Sequence, residues 1–329
     1  MSANVEMMFS ASNITPWHGL GVVISTAPTS ADAIKIAGLD WDVIPKPIYD
    51  HLGREIPGFK VNMRSSDNQI LGVVTDKYKV VQNTNAFEFT DALLGQGIRY
   101  ETAGSLSSGK RVWMLARMEH TLLAEEDIDP YLVFTNSHDG KGAVRVAITS
   151  VRTVCQNTLN LALANASRHW SCAHMGDING KLEDARYTLQ SAERYMAALE
   201  EEFGELKLKR VTEKQVRDMT DNLLEIEFES LYKKALKDSK VIDIKDHLRQ
   251  QKFEEKLNRK RNDILNIYFD KPDLRGTEES AFRFVNAVSD YVTHTTDHKN
   301  TRNYQENLFM RVIDGHSTID TAHKIALAA

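Results

Sequence analysis

The chain has 329 residues, 41 Lys and Arg against 46 Asp and Glu, 42% hydrophobic and 26% charged residues, and a formal net charge of −5. That balance excludes a disordered chain, a collagen-like repeat and a uniformly basic nucleic-acid tail, so any nucleic-acid site must be a local patch. Two cysteines, Cys155 and Cys172, are too few for a disulfide scaffold. No run of about 18 apolar residues is present to span a membrane, and the first ten residues lack the basic-then-apolar order of a signal peptide, so the expected location is the cytoplasm.

Residues 1–57 read as an irregular segment with one short helix, capped near Thr29 and ended by Gly38. Strands are then expected. Phe59, Val61 and Met63 alternate with Lys60, Asn62 and Arg64, giving one apolar and one polar face, and residues 70–74 form the return strand. Asn83 to Asn85 open a helix containing Phe87, Phe89 and Leu93. A second hairpin joins residues 99–103 to 110–118. On its second arm Val112, Met114, Ala116 and Met118 share one face, and Arg111, Trp113, Leu115 and Arg117 the other. A third hairpin joins 131–134 to 144–148 through Asp139-Gly140. Residues 151–166, with Leu159, Leu161 and Leu163, read as a buried helix.

The second half is helical. Between Gly180 and Gly276 only Gly204 interrupts the chain, and Pro is absent until Pro272. Leu182, Ala185, Leu189, Ala192, Met196, Leu199, Phe203 and Leu206 are spaced 3-4-3-4-3-4-3, a heptad seam open to packing in the chain's own core or against a partner chain. Thr212 and Gln215 form a capping box before a further helix. Long helix is expected over 244–269, and an apolar helix surrounds Phe282 to Tyr291. The expected class is α+β: an N-terminal antiparallel β-rich core with packed helices, followed by a long-helix C-terminal half. The expected organisation is an irregular segment 1–57, an α+β core 58–170 and a helical domain 171–329 offering an assembly or packing surface.

Motifs for chemistry are weak. Gly104 to Lys110 follows a phosphate-binding loop for seven positions, but Arg111 stands where Ser or Thr binds magnesium, and a strand follows where a helix should. Cys155, His169, Cys172 and His174 lack the common zinc spacings. No carboxylate cluster suits a two-metal nuclease. No catalytic residue, metal or cofactor is therefore expected. Arg111, Trp113 and Arg117 form the most suggestive set, because an indole between guanidiniums suits stacked bases and phosphates of a single strand. Lys60, Arg64, Lys77, Lys79, Arg145 and Arg152 add cations on nearby elements. The competing reading is that Trp113 and Leu115 pack under the helical half while both arginines pair with acids.

Trp17-His18-Gly19, Gly38 to Trp41, Leu71 to Val74, Tyr78 to Asn83, Glu101 to Leu106, Asn136-Ser137-His138-Asp139-Gly140, Val151 to Leu159, Arg168-His169 and Asn286 to Val288 before Tyr291 occur in that order. This pattern resembles the phage- and plasmid-borne family catalogued as domain of unknown function 932, over nearly the whole chain. The resemblance implies a place on mobile genetic elements and carries over no catalytic residue; it directs attention to His138, Asp139, Arg152, Cys155, Asn157 and His169. The strand–strand–strand–helix order over 110–166 resembles RecT/Redβ-type annealing proteins. The expected function is a DNA-metabolism accessory that binds or anneals single-stranded DNA and assembles into a homo-oligomer. The alternative is a non-enzymatic protein that captures a host factor through its helical half.

Overall fold

The computed structural model describes residues 5–10, 22–23, 29–94, 99–118, 121–152, 157–158, 169–238, 244–271, 274, 278–295 and 316–329. The fold is α+β. Strands β1 (Val5–Ser10) and β2 (Val22–Val23) precede α1 (Ser30–Ile36). Then come β3 (Val43–Tyr49), β4 (Glu55–Arg64), β5 (Ile70–Thr75) and α2 (Asn83–Leu94). A run of strands follows: β6 (Arg99–Leu106), β7 (Arg111–Arg117), β8 (Thr121–Leu123), β9 (Glu126–Ser137), β10 (Val144–Arg152), β11 (Asn157–Thr158) and β12 (His169–Cys172). The helical half holds α3 (Ile178–Leu208), α4 (Glu213–Asp238), α5 (Ile244–Asp270), α6 (Ala281–Asp290) and α7 (Ser317–Ala328).

The strands make two sheets. The larger has the order β11-β10-β9-β7-β6-β1-β2, with β12 also pairing β10 and β8 pairing β9; every pair is antiparallel except β1 with β2. The smaller sheet is β3-β4-β5, also antiparallel. Alternation places Val112, Met114 and Ala116 of β7 beside Leu132 and Phe134 of β9 on one buried face. There α2 contributes Phe89, whose ring lies 6.0 Å from Phe134, and Phe87, 5.3 Å from Tyr100. The other face of β7 is buried too, through Trp113 and Leu115.

The helices start where the sequence places caps. Thr29 accepts from the Asp32 amide, Asp177 from that of Gly180, and Thr212 and Gln215 cap each other reciprocally. Leu199, Phe203 and Leu206 of the heptad seam are fully buried, with the Phe203 ring 5.0 Å from Phe282 of α6. This part of the seam is core. The side chains of Leu182 to Ala192 lie outside the described residues. One continuous core cluster runs from Ala33 to Ala326.

Three expectations are corrected. The first 57 residues carry β1, β2, β3 and the start of β4, because Val5 to Ser10 pairs with β6, and β3 with β4. The helix expected over 151–166 does not begin at 151: Val151 and Arg152 end β10 and pair with Thr158 and Asn157. Most of residues 153–168 lie outside the described residues. Strand β4 faces the opposite way from that expected of an amphipathic strand. Asn62 and Arg64 turn inward and Lys60 is half-buried, whereas Phe59 is 47% exposed.

Candidate nucleic-acid interface

The two sheets meet at the end of β9 and the turn after it, residues 136–143, and polar side chains make the joint. Tyr78 Oη donates to the Ser137 carbonyl at 2.5 Å, and burial pushes its phenol far above the usual range, so it stays a donor. Asn62 Nδ2 donates to the His138 carbonyl at 2.9 Å, and Asn136 Nδ2 to the Val81 carbonyl at 2.8 Å. The Gln82 amide accepts from the Val43 N–H at 2.8 Å and donates to the Val43 carbonyl at 3.0 Å, imitating a neighbouring strand. The His138 N–H donates to the Lys110 carbonyl at 2.7 Å, which ties the β6–β7 turn to the same place.

His138 is fully buried. Asn83 Nδ2 donates to the Leu39 and Trp41 carbonyls at 3.0 and 3.3 Å, so its Oδ1 faces the His138 ring, 3.1 Å from Nε2. Nε2 must therefore carry the proton. Nδ1 is a bare acceptor in the interior, and burial pushes the ring's pKa down from 6.5 to about 3. His174 stacks on Tyr78 with centroids 4.5 Å apart. Its Nδ1 donates to the Lys79 carbonyl at 2.9 Å, and burial lowers its pKa as well. Asp139 is held by Ser137 Oγ at 2.6 Å and the Lys141 amide at 2.9 Å.

This joint gathers cations. Segments 77–83, 104–111 and 135–145 converge on it and carry Lys77, Lys79, Lys110, Arg111, Lys141 and Arg145 against one acid, Asp139. Lys77, Lys79 and Lys141 are exposed; Lys110, Arg111 and Arg145 are half-buried. Lys77, Lys79, Arg111 and Arg145 from the expected set thus lie on segments that meet at one end of the large sheet.

Of the remaining members, Lys60 and Arg64 reach the joint but are engaged there, Arg64 lying against Gly109, and Arg117 and Arg152 stand at the other end of the sheet. Lys60 Nζ is 2.8 Å from the Tyr78 carbonyl, which it hydrogen-bonds. Arg64 pairs with Asp67 at 2.6 Å and lies over the Trp41 ring, 5.5 Å from its centroid. Arg117 sits at the far end of β7, about 20 Å from Arg111 at the rise of a strand, and pairs with Asp129 at 2.5 Å. Arg152 ends β10, seven residues beyond Arg145; its side chain is not among those described. Trp113 is only 3% exposed, so its ring is no stacking platform. Trp113 and Leu115 are buried and Arg117 is paired with an acid, which is the burial and pairing that the competing reading expects.

His169 is exposed on β12, opposite Ala147. Asn157 lies in β11, and Cys155 falls outside the described residues. Burial pushes the Cys172 thiol up. Among the described residues, no three His, Cys, Asp or Glu side chains are placed to hold a metal ion. The phosphate-loop look-alike is the β6–β7 turn, with Ser107, Ser108 and Gly109 all at positive φ. Residue-type reasoning gave no role to Asn62, Gln82 or Asn83, because amides carry no spacing signature, although Tyr78 to Asn83 and Asn136 to Gly140 stand out as motifs.

A family model described as a domain of unknown function (DUF932) matches residues 70–312, well over half of the chain. No curated protein and no solved structure matches it. No helix among the described residues is long and apolar enough to cross a membrane.

Proposed function

The chain belongs to the DUF932 family, and from that premise we propose that it is a non-enzymatic, single-stranded DNA-binding protein serving annealing, recombination or replication of a mobile element in the host cytoplasm. One observation carries the reading: three segments separated in sequence bring the exposed Lys77, Lys79 and Lys141, with Lys110, Arg111 and Arg145 beside them, to the sheet joint of a chain whose net charge is −5. Such a local excess attracts a phosphate backbone although the whole protein is acidic.

The burial of Trp113 changes the mode of binding. Without an exposed indole, affinity comes from phosphates. A strand held by its backbone keeps its bases free to pair, which is what annealing needs. A gel shift comparing single-stranded DNA, duplex DNA and RNA at low salt tests this. Preferential retention of single-stranded DNA, lost as salt rises, is expected. Trp113→Ala is expected to lower the melting temperature before it weakens binding, because it empties a buried site. Absence of any shift with folded protein at low salt would refute the proposal.

A further inference from the structure

The small sheet is turned inside out. Its inner face uses Asn62, Arg64 and Lys60 to bond the His138 carbonyl, Asp67 and the Tyr78 carbonyl. Its outer face is a grid set by the strand register. Ile44, Met63 and Ile70 form one row, and Lys46, Val61 and Val73 the next. Phe59 and Thr75 form a third, continued on β3 by Ile48, two residues beyond Lys46. Seven of these nine are apolar. Ile44 is 41% exposed, Phe59 47%, Ile70 56% and Val73 58%, while Ile48, Val61 and Met63 are half-buried. Tyr49, Leu52 and Ile56, toward the hairpin tip, are exposed as well. Monomeric proteins rarely leave a contiguous apolar face of this kind in water.

We propose that this face binds the same face of a second copy of the chain, as two sheets stacked in a symmetric dimer. Charge argues for that occupant. The grid carries one charge, Lys46, so it offers nothing to a nucleic acid or an acidic partner and is complementary to an apolar surface like itself. A two-fold axis between the sheets and parallel to the strands sets β3 over the other copy's β5, which keeps the two Lys46 ammoniums at opposite edges. Pro45 and Pro47 leave β3 short of two N–H donors, which discourages a further strand from joining the sheet edgewise.

Size points to a weak, reversible dimer. Strands of 7, 10 and 6 residues, together about 14 Å across, give roughly 350 Å² in plan before side-chain relief, below the about 800 Å² per partner of a standard interface. This surface is separate from the cation rim, so the dimer does not depend on the DNA-binding reading.

Sedimentation of the intact protein over a concentration series tests the proposal. A reversible monomer–dimer equilibrium is expected. Phe59→Lys with Val73→Lys should weaken it at least about a hundredfold, as loss of central interface anchors does, with an unchanged circular dichroism spectrum. Lys46→Leu should tighten it as a discrete monomer–dimer shift with an unchanged circular dichroism spectrum and no larger species, which aggregation of misfolded chains does not give and which decides the matter if the double variant does not fold. A wild-type monomer at every concentration overturns the proposal. So does a dimer indifferent to the double variant, or one that Lys46→Leu fails to tighten.

Discussion

Lowering the pH from 6.5 to 4.5 should destabilise the protein by about 2–3 kcal/mol, the linkage expected of one imidazole whose folded pKa lies far below both values. The group is His138, pushed down to about 3 by burial. Its Nε2 proton is committed to Asn83, and its Nδ1 has no hydrogen-bond partner in the interior. In the unfolded chain the ring takes up a proton near pH 6.5. In the folded chain it stays neutral down to about pH 3. Between those values the unfolded state binds more protons, so this contribution is whole above 6.5 and drains away as pH falls. His174 adds in the same direction. Carboxylates act lower: Asp67, held near 2 by its hydrogen bond from Arg64, loses its partner only in stronger acid. Urea unfolding at the two pH values measures the loss. His138→Gln should start less stable at pH 7.5 and show a much shallower pH slope. An equal slope in the variant would place the effect elsewhere.

Gly72→Ala should cost about 2–3 kcal/mol, the upper part of the range for overpacking. A Cβ at residue 72 would lie 2.5 Å from Asp139 Cα, 2.8 Å from its carbonyl oxygen and 2.9 Å from its carbonyl carbon. All three are backbone atoms, so no side chain can swing aside. Either β5 or the cation-bearing turn must shift, and the interface with it. Gly204 in α3 is the control, since nothing lies within 4 Å of a Cβ there. Gly204→Ala should gain roughly 0.5–1 kcal/mol from helix propensity. Thermal or urea melts of the two variants should therefore move in opposite directions. A neutral Gly72→Ala would mean that the two sheets are not pressed together as described.

Local pattern carried the reading of the strands and helices, and distant partners decided what the pattern meant. The alternation in β7 reports two faces. It does not report that the Trp113 face is covered as well, because a strand buried on both sides can keep an arginine at each end where side chains reach solvent. In β4 the same period of two was legible, and its direction was not. Asn62, Arg64 and Lys60 point inward to reach the His138 carbonyl, Asp67 and the Tyr78 carbonyl, and those partners are set by the tertiary fold. The heptad seam guaranteed a helix, while Phe282, some eighty residues further on, made its described part core. The cation rim was half legible. Lys77, Lys79, Arg111 and Arg145 stood out as cations, but only the bonds from Tyr78, Asn136 and His138 show that their segments meet.

Lysines whose side chains take no part in the joint's hydrogen bonds offer the most direct test of that rim. Lys79, Lys110 and Lys141 replaced together by Gln leave the hydrogen-bonded joint in place and remove three charges. Fluorescence anisotropy of labelled single-stranded DNA across a salt series should give wild-type binding with a steep negative log–log slope. In the triple variant that slope should be shallower by about 2, at roughly 0.7 for each phosphate no longer neutralised, with affinity at least tenfold weaker at low salt. An unchanged slope in a folded triple variant, or no binding by the wild type at low salt, would contradict a DNA-binding rim at the sheet joint.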